Sequence, residues 1–567
     1  VSNARHYAAE RSSEARQYID SYVTQDAGGG LVFNVPKGGY LKNQDTRTSS
    51  YTIRGQVNYD RTIGADHTIN GILGGEVRDL IQQGNSAAYF GYNDQTLLQQ
   101  PIDYYDIANS NIIGSFVSRR NINYSDLFNQ LYSEDRFVSG YSNIVYTYKR
   151  RYSLTGSIRI DQSNLFGTDP KYRYKPLWSV GGAWNIANER FLENSNWLKQ
   201  LKLRGAYGFN GNVAKLSLPQ VIAKSYVNTY TSPFSDALQL FSYANSSLRW
   251  EQTKNINIGL DYGILGNVSG SIDFYQKNST DLLADGQIDP TIGTSPSFIN
   301  NASIVNKGLE ITLRSDWIRK ANLNWNTGFV LSYNTSKVLK IYQNLTLWPS
   351  STNTAGYVEG QPVGALYAYR WAGLDQNGMP MVRDAKGNAT TASDYDNTSA
   401  AFHYVGTTVP PLNIGFSNRV DIGNFYFYCM VSYYAGFKVQ VPRPDPTVTR
   451  PLEGSGNYWQ QPGDEKNPGV IMALDGFSDF FGRMVYQNAD TYVAKGNYVT
   501  IRDITASYSF NNSGFLKRIG MDHFEIKLQA SNVWTAGLNK YNYSMATGDY
   551  AKPYITPTYS AAIFTNF

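Results

Sequence analysis

The sequence predicts an all-β protein, and more narrowly a transmembrane antiparallel β-barrel with long loops at one end of its strands and short turns at the other. Three observations predict it. Apolar residues recur at every second position through most of the chain, the signature of half-buried strands. The connections between these segments alternate between tight turns and long polar stretches, as in an outer-membrane barrel. The composition is also poor in charge and rich in tyrosine and glycine: of 567 residues, 45 are Tyr and 50 are Gly, and charged residues make up 17%, against roughly 25% in an average soluble domain. Such a chain has few charges with which to dress a surface facing water.

The alternation is clear from the first hairpin onward. Tyr51, Ile53, Gly55, Val57 and Tyr59 form a stripe, the segment RTIGADH turns the chain, and Ile69, Gly71, Leu73, Gly75 and Val77 form the returning stripe. Ile256, Ile258, Leu260 and Tyr262 alternate with Asn257, Gly259 and Asp261. After a turn over Gly263 to Asn267, Val268, Gly270, Ile272 and Phe274 alternate with Ser269, Ser271, Asp273 and Tyr275. Leu309, Ile311 and Leu313 alternate with Glu310, Thr312 and Arg314, and Leu323, Trp325, Thr327, Phe329, Leu331 and Tyr333 follow. Near the end, Phe524, Ile526, Leu528 and Ala530 oppose Glu525, Lys527, Gln529 and Ser531. Roughly 16 to 18 such segments are present, many of about 9 to 11 residues, the length a tilted membrane strand needs. No segment of comparable clarity has helical periodicity.

GILGN at Gly263 and DIGN at Asp421 are short links, whereas long Asn-, Ser-, Tyr- and Pro-rich stretches lie around residues 80 to 130, 211 to 247, 279 to 305, 335 to 411 and 436 to 495. A soluble sandwich has no reason to keep that alternation. A propeller or β-helix would show a fixed repeat, and none is seen. Trp178, Trp184, Trp250, Trp317, Trp325 and Trp371 stand near strand ends, which suits rings at a membrane interface. The apolar face is therefore expected to meet lipid and the polar face to line the interior. Closure is then required, because an open sheet edge in hydrocarbon would strand its hydrogen-bonding groups.

Several classes are disfavoured. No apolar run approaches the roughly 20 residues of a membrane helix. Cys429 is the only cysteine, so neither a disulfide within the chain nor a cysteine-based zinc site is available. The formal charge of +5 comes without a long basic run, and nucleic acid is not an expected partner. The first residues, VSNARHYAAERSSEARQYID, do not read as a signal peptide. Neither H-E-x-x-H nor G-x-S-x-G occurs, and His6, His67, His403 and His523 are far apart, so no catalytic site, metal site or cofactor is expected. DQNGMPMVRDAKGN resembles a calcium loop at Asp375, Asn377 and Gly378, but it lacks the Glu at the twelfth position and flanking helices, and reads as a pair of glycine turns.

Longer stretches resemble a known family, the SusC/RagA-like TonB-dependent transporters of the Bacteroidota outer membrane. DQSNLFGTDPKYRYKPLWSVGGAWNIANERFL (Asp161 to Leu192), LKLRGAYGFNGN (Leu201 to Asn212) and LRWEQTKNINIGLDYGILGNVSGSIDFYQKNSTDLL (Leu248 to Leu283) are similar to family motifs. So are NNASIVNKGLEITL, VEGQPVGALYAYRWAGLDQNGMP, YVTIRDITASYSF and ASNVWT, all in family order. The resemblance implies a barrel of about 22 strands with a plugged lumen. It also implies that residues 1–567 are the C-terminal part of the barrel, with the TonB box and plug domain not present in this segment.

By the same resemblance, the protein imports oligosaccharides or peptides across the outer membrane of a Gram-negative bacterium. A SusD-like surface lipoprotein closes over it, and TonB, ExbB and ExbD drive it through the missing N-terminal region. Rings that could stack on a ligand are expected among the extracellular-loop aromatics Tyr226, Tyr230, Trp348, Tyr357, Tyr458 and Trp459, although for any one of them lid contact or loop packing is the more ordinary role. The terminal stripe of Tyr559, Ala561, Ile563, Thr565 and Phe567 resembles the signal read by the barrel-assembly machinery, and serves equally as a closing strand. A passive porin and a surface adhesin are the rival readings; enzymatic hydrolysis is not expected.

Overall fold

The computed structural model describes residues 2–103, 107, 127–165, 175–212, 221–228, 235–242, 248–285, 298–341, 357–392, 401–448, 452–477, 479–511, 514, 518, 520–541 and 556–566. Sixteen strands form one sheet in which each is hydrogen-bonded to its neighbour in the series. They are β1 (Ser2–Ala8), β2 (Gly39–Ile63), β3 (His67–Tyr92), β4 (Phe128–Tyr148), β5 (Tyr152–Ser163), β6 (Leu177–Asn185), β7 (Leu198–Asn212) and β8 (Glu251–Ile264). The series continues with β9 (Val268–Asp285), β10 (Phe298–Lys320), β11 (Leu323–Lys340), β12 (Leu412–Ile422), β13 (Phe425–Ala435), β14 (Tyr498–Asn511), β15 (His523–Gly537) and β16 (Thr558–Asn566). The up-and-down order needs only local connections, and the registers are antiparallel.

The connections alternate as the sequence predicts. Hairpin turns close β2 to β3, β4 to β5, β8 to β9, β10 to β11 and β12 to β13, and long segments join β3 to β4, β7 to β8, β11 to β12 and β13 to β14. In the β8–β9 turn, Leu265 (φ 54°) and Gly266 (φ 75°) both take the left-handed conformation, the requirement of a tight primed turn whose twist matches the strands. The Gly423–Asn424 turn also uses a glycine at positive φ (56°).

Two features differ from the sequence reading. Strands β2, β3 and β10 run for 25, 26 and 23 residues, well past the membrane length, and take in residues 80–92, 279–285 and 298–305 that read as loop. Beyond the apolar band the period-2 signal fades while the hydrogen-bond ladder continues: residues 80–92 pass through Gln82, Gln83 and Asn85 and then bury Ala88 and Phe90 under α1. The chain also holds short helices in its loops. Helix α1 (Ser13–Ser21) is capped by Ser12, whose hydroxyl accepts from the Ala15 N–H. Helix α2 (Phe480–Gln487) is capped by Asp479, which accepts from Gly482. Each is too short to carry a long 3.6-residue period.

The chain divides into two compact units: Val1–Val57 with Leu73–Tyr141 and Arg159–Phe166, and Asn58–Ile72 with Ser142–Ile158 and Gly167–Phe567. In the first, α1 packs Tyr18, Ile19 and Tyr22 against Tyr40, Ala88 and Phe90 at the long-loop ends of β2 and β3. Tyr18 meets Tyr40 and Phe90 at ring separations of 4.9 and 5.4 Å. In the second, the segments following β11 and β13 fold together over three small apolar clusters.

The apolar face of the sheet is largely exposed. Ile53 is 69% exposed, Leu73 65%, Ile258 53%, Phe427 46%, Leu528 57% and Ile563 66%. All but Phe427 belong to the apolar stripes read from the sequence, and among the described residues no second sheet or helix layer covers them. A water-soluble sheet would bury this face.

Candidate functional site

The opposite, polar face carries an organised set of charges. Register places Arg204 of β7 opposite Gly259 of β8, and Gly259 opposite Asp273 of β9. Gly259 is the gap through which the guanidinium crosses: a Cβ there would stand 2.6 Å from both Arg204 Cζ and Asp273 Oδ1. Arg204 Nη2 donates to Asp273 Oδ2 at 2.7 Å and to Asp261 Oδ1 at 3.0 Å. A fork of fixed donors meets two carboxylates on three successive strands.

The same face repeats the theme. Arg54 pairs with Glu76, Arg159 Nε donates to Asp161 at 2.7 Å and its Nη2 to Ser139 at 2.9 Å, and Arg419 Nε donates to Asp421 at 3.0 Å. Asp503 accepts from Thr505 at 2.6 Å, from Ser531 at 3.2 Å and from Gln529. Between β9 and β13, Gly328 and Gly415 leave a recess of about 740 Å³ lined by Arg314, Asn326, Ser417 and Arg419. The wall is thus apolar on one side and polar, ion-paired and grooved on the other.

The second-unit loops form a compact assembly beyond the strand ends. The hairpins Ala365–Tyr369 with Phe402–Thr407, and Trp371–Leu374 with Pro380–Arg383, pack on α2 through Tyr369, Val382, Met484 and Val485. At its centre Arg443 is buried, its guanidinium carbon 3.7 Å from the Tyr492 ring centroid and 4.9 Å from that of Tyr486. Nη2 donates to the Ala489 carbonyl at 2.8 Å, while Nε and Nη1 have no partner. Burial pushes its pKa down to about 10, so it remains a cation at neutral pH, held by ring faces. Burial pushes the Tyr486 hydroxyl up, and that hydroxyl donates to the Pro444 carbonyl at 2.9 Å.

Of the predicted ligand aromatics, Tyr357, Tyr458 and Trp459 have described side chains. Tyr357 is 54% exposed. Tyr458 and Trp459 are partly buried against the Ile471, Met472 and Phe477 cluster. Trp459 lies over Gly378, where a Cβ would come 2.5 Å from the indole, and its Nε1 donates to Glu465 at 3.3 Å. Tyr226 sits opposite Ala237 in a hairpin of Ile222–Asn228 and Ser235–Ser242, and its side chain lies outside the described residues. Tyr230 and Trp348 also lie outside the described residues. In the terminal stripe, Tyr559, Ala561, Ile563 and Thr565 stand opposite Ala530, Leu528, Ile526 and Phe524. Phe567 is outside the described residues.

The calcium-like segment is a pair of turns. Asp375 Oδ1 accepts from the Asn377 and Met379 N–H groups, both at 2.8 Å, and Asp384 Oδ1 accepts from Lys386 and Asn388. Those backbone donors, Asn388 first, hold the Asp384 carboxyl below its usual range. Among the described residues no group of three or more His, Cys, Asp or Glu is placed to hold a metal. The loop-assembly core and Arg443 had no counterpart in the sequence reading; the apolar runs VQV and GVIMAL are the signals that could have pointed to it.

Three comparisons bear on this arrangement. A family model described as TonB dependent receptor-like, beta-barrel matches residues 3–542. The chain is 25% identical over 522 residues to TonB-dependent receptor P3 of Formosa agariphila, covering 88% of this chain and 48% of that protein. It is 25% identical over 410 residues to TonB-dependent receptor SusC of Bacteroides thetaiotaomicron, covering 67% of this chain and 38% of that one. The chain therefore spans about half or less of the length of these curated relatives. Among solved structures, it resembles a chain of the RagAB peptide importer in its closed-closed state, with a TM-score of 0.74 at 21% identity over 93% of this chain and 56% of that chain.

Proposed function

The chain belongs to the TonB-dependent receptor-like β-barrel family, and from that premise we propose that it forms most of the wall of an energy-coupled importer in the outer membrane. The observation that carries the proposal is the two-faced wall. One face exposes Ile53, Leu73, Ile258 and Leu528, which lipid solvates, and the other carries Arg204, Arg159, Arg419 and Asp503 in hydrogen-bonded sets, which suit a wet lumen. The tight turns face the periplasm and the long connections face outward.

In this reading the cargo is an oligosaccharide or a peptide, and a SusD-like lipoprotein closes over the loops. TonB, ExbB and ExbD act through a plug region outside this segment. The names of the relatives support the energy coupling, and the loop assembly around Arg443 offers a preformed platform for a lid. Tyr357, with Tyr226, Tyr230 and Trp348, supplies candidate ligand rings. Tyr458 and Trp459 act by holding the loop assembly together, and the β16 stripe is the surface offered to the assembly machinery.

Purification of the native protein from outer membranes in mild detergent tests the reading. A co-purifying surface lipoprotein and the absence of steady ion conductance in planar bilayers are the expected results. A lone chain forming stable open pores would favour the passive porin, and loop-borne ligand binding with no lid partner would favour the surface adhesin.

A further inference from the structure

On the apolar face, at the tight-turn end of β10 to β12, a chain of polar side chains interrupts the hydrocarbon surface. Trp317 stands at a bulge between Asp316 and Ile318, and its Nε1 donates to Thr327 Oγ1 at 2.9 Å. The Thr327 hydroxyl donates in turn to Asn418 Oδ1 at 2.7 Å, and Trp325 Nε1 donates to the same oxygen at 3.1 Å. An indole N–H can only donate, so these bonds fix the direction of the whole chain. Both lone pairs of Asn418 Oδ1 are taken, and its Nδ2 keeps two N–H groups with no partner among the described residues. The two indoles lie 6.5 Å apart and are 55% and 41% exposed. Register puts Lys320, also exposed, on the same face opposite Leu323. The other positions of this face at the turn end, Ile318, Leu323, Val420, Ile422 and Phe425, carry no charge.

We infer that this patch holds one glycerophospholipid of the leaflet that meets the tight turns, with Lys320 on its phosphate, the Trp317 and Trp325 rings against its glycerol, and Asn418 Nδ2 donating to an acyl ester oxygen. The inference rests on the proposed membrane wall. Its chemistry follows from depth. Lys320 is level with Leu323 and Ile422 at the turn, Trp325 with Val420, and Thr327 with Asn418, so cation, ring and amide descend in steps of two residues, roughly 7 Å along the strand. A phosphate, a glycerol and an ester follow one another in the same order down a phospholipid. An ordinary interfacial ring presents its own N–H to the headgroups; here both indole N–H groups are spent on Thr327 and Asn418, and the chain delivers its free donors at one point. Below the headgroups water is scarce and an unpartnered amine is costly, and an ester oxygen is the acceptor that lipid offers there. With no carboxylate on this face at the turn end, nothing competes with a phosphate for Lys320.

The test uses the full protein purified in a non-ionic detergent and titrated with a phosphatidylglycerol, with the diacylglycerol of the same chains, or with lipid A, the adducts being counted by native mass spectrometry. The wild type is compared with Asn418→Asp, which keeps an acceptor for Thr327 and Trp325 while removing the two N–H groups, and with Lys320→Gln. Ile258→Leu, elsewhere on the apolar face, is the control, and each variant is checked for the wild-type thermal transition. One phosphatidylglycerol held by the wild type and the control about tenfold more tightly than by either variant, the loss of one charge-assisted or buried hydrogen bond, with diacylglycerol bound weakly by all, is the expected result. Phosphatidylglycerol bound alike by wild type and variants, diacylglycerol bound as tightly, a preference for lipid A, or a dimer of the protein that Asn418→Asp dissociates overturns the site. Failure of the membrane-wall reading shows separately, as a protein that stays monodisperse when detergent is withdrawn and keeps no lipid of any class.

Discussion

Introducing an arginine at Ile258 separates a lipid-facing wall from a water-facing sheet. Ile258 lies on the apolar face of β8, opposite Phe274 and Gly205, and is 53% exposed. Val330 of β11 lies on the polar face, opposite Thr312 and Gly415, and is 51% exposed. Two aliphatic residues of near-equal exposure thus stand on opposite faces. Ile258 comes six residues before the last residue of its strand, Ile264. At a rise of about 3.4 Å per residue and a tilt of about 40°, it stands roughly 15 Å above the turn, near the middle of an apolar band about 25 Å tall. Ile258→Arg is then expected to cost about 2–4 kcal/mol of folding free energy in a bilayer. Val330→Arg keeps its charge in the wet interior and is expected to cost less than about 1 kcal/mol, the ordinary surface value. Reversible denaturant unfolding from phosphatidylcholine vesicles reads both. Equal, small effects for the two substitutions would refute the assignment of faces.

The Gly259 gap predicts that Gly259→Ala displaces the Arg204 guanidinium, at a cost of about 1 kcal/mol for a partly buried ion pair. Its effect should not add to that of Asp273→Asn in a double-mutant cycle, and additive losses in thermal unfolding would dissociate the glycine from the pair. Gly378 combines a φ of +73° with a Trp459 ring 2.5 Å from any Cβ, so Gly378→Ala should weaken the loop assembly by about 2 kcal/mol, seen as faster proteolysis around residues 370–390. Arg443→Met replaces a desolvated cation with two unpartnered nitrogens and should leave that assembly as stable or more so. Arg443→Ala opens a cavity and should destabilise it by about 2–4 kcal/mol. Hydrogen exchange at Ala489 and Tyr492 distinguishes the two.

How far the sequence could be read follows from which solvent each segment meets. Where one face is apolar and the other polar, as along Ile256 to Tyr262 and Val268 to Phe274, alternation is explicit, and strands and turns are as read. In residues 80–92 at the end of β3, a polar run at Gln82, Gln83 and Asn85 is followed by Ala88 and Phe90, which α1 covers, so alternation disappears and the strand reads as loop. The loop assembly is hidden for another reason. Its core joins Tyr369, Val382, Met472 and Val485 from segments roughly 100 residues apart, and no local period links them. The ligand aromatics were chosen by residue type alone, and type does not say whether a ring faces a cavity. Trp459 is occupied with Gly378, while Tyr275 and Tyr404, which line one, look no different in sequence.

The central claim, active import through this wall, is tested most directly by uptake in the native organism. Cells with and without the gene are supplied with labelled neutral oligosaccharides and labelled hexapeptides, with the proton gradient intact or collapsed by a protonophore. Gene-dependent accumulation of one class that stops when the gradient collapses is the predicted result. Gene-dependent entry that continues without the gradient would contradict the account and leave a passive pore in its place.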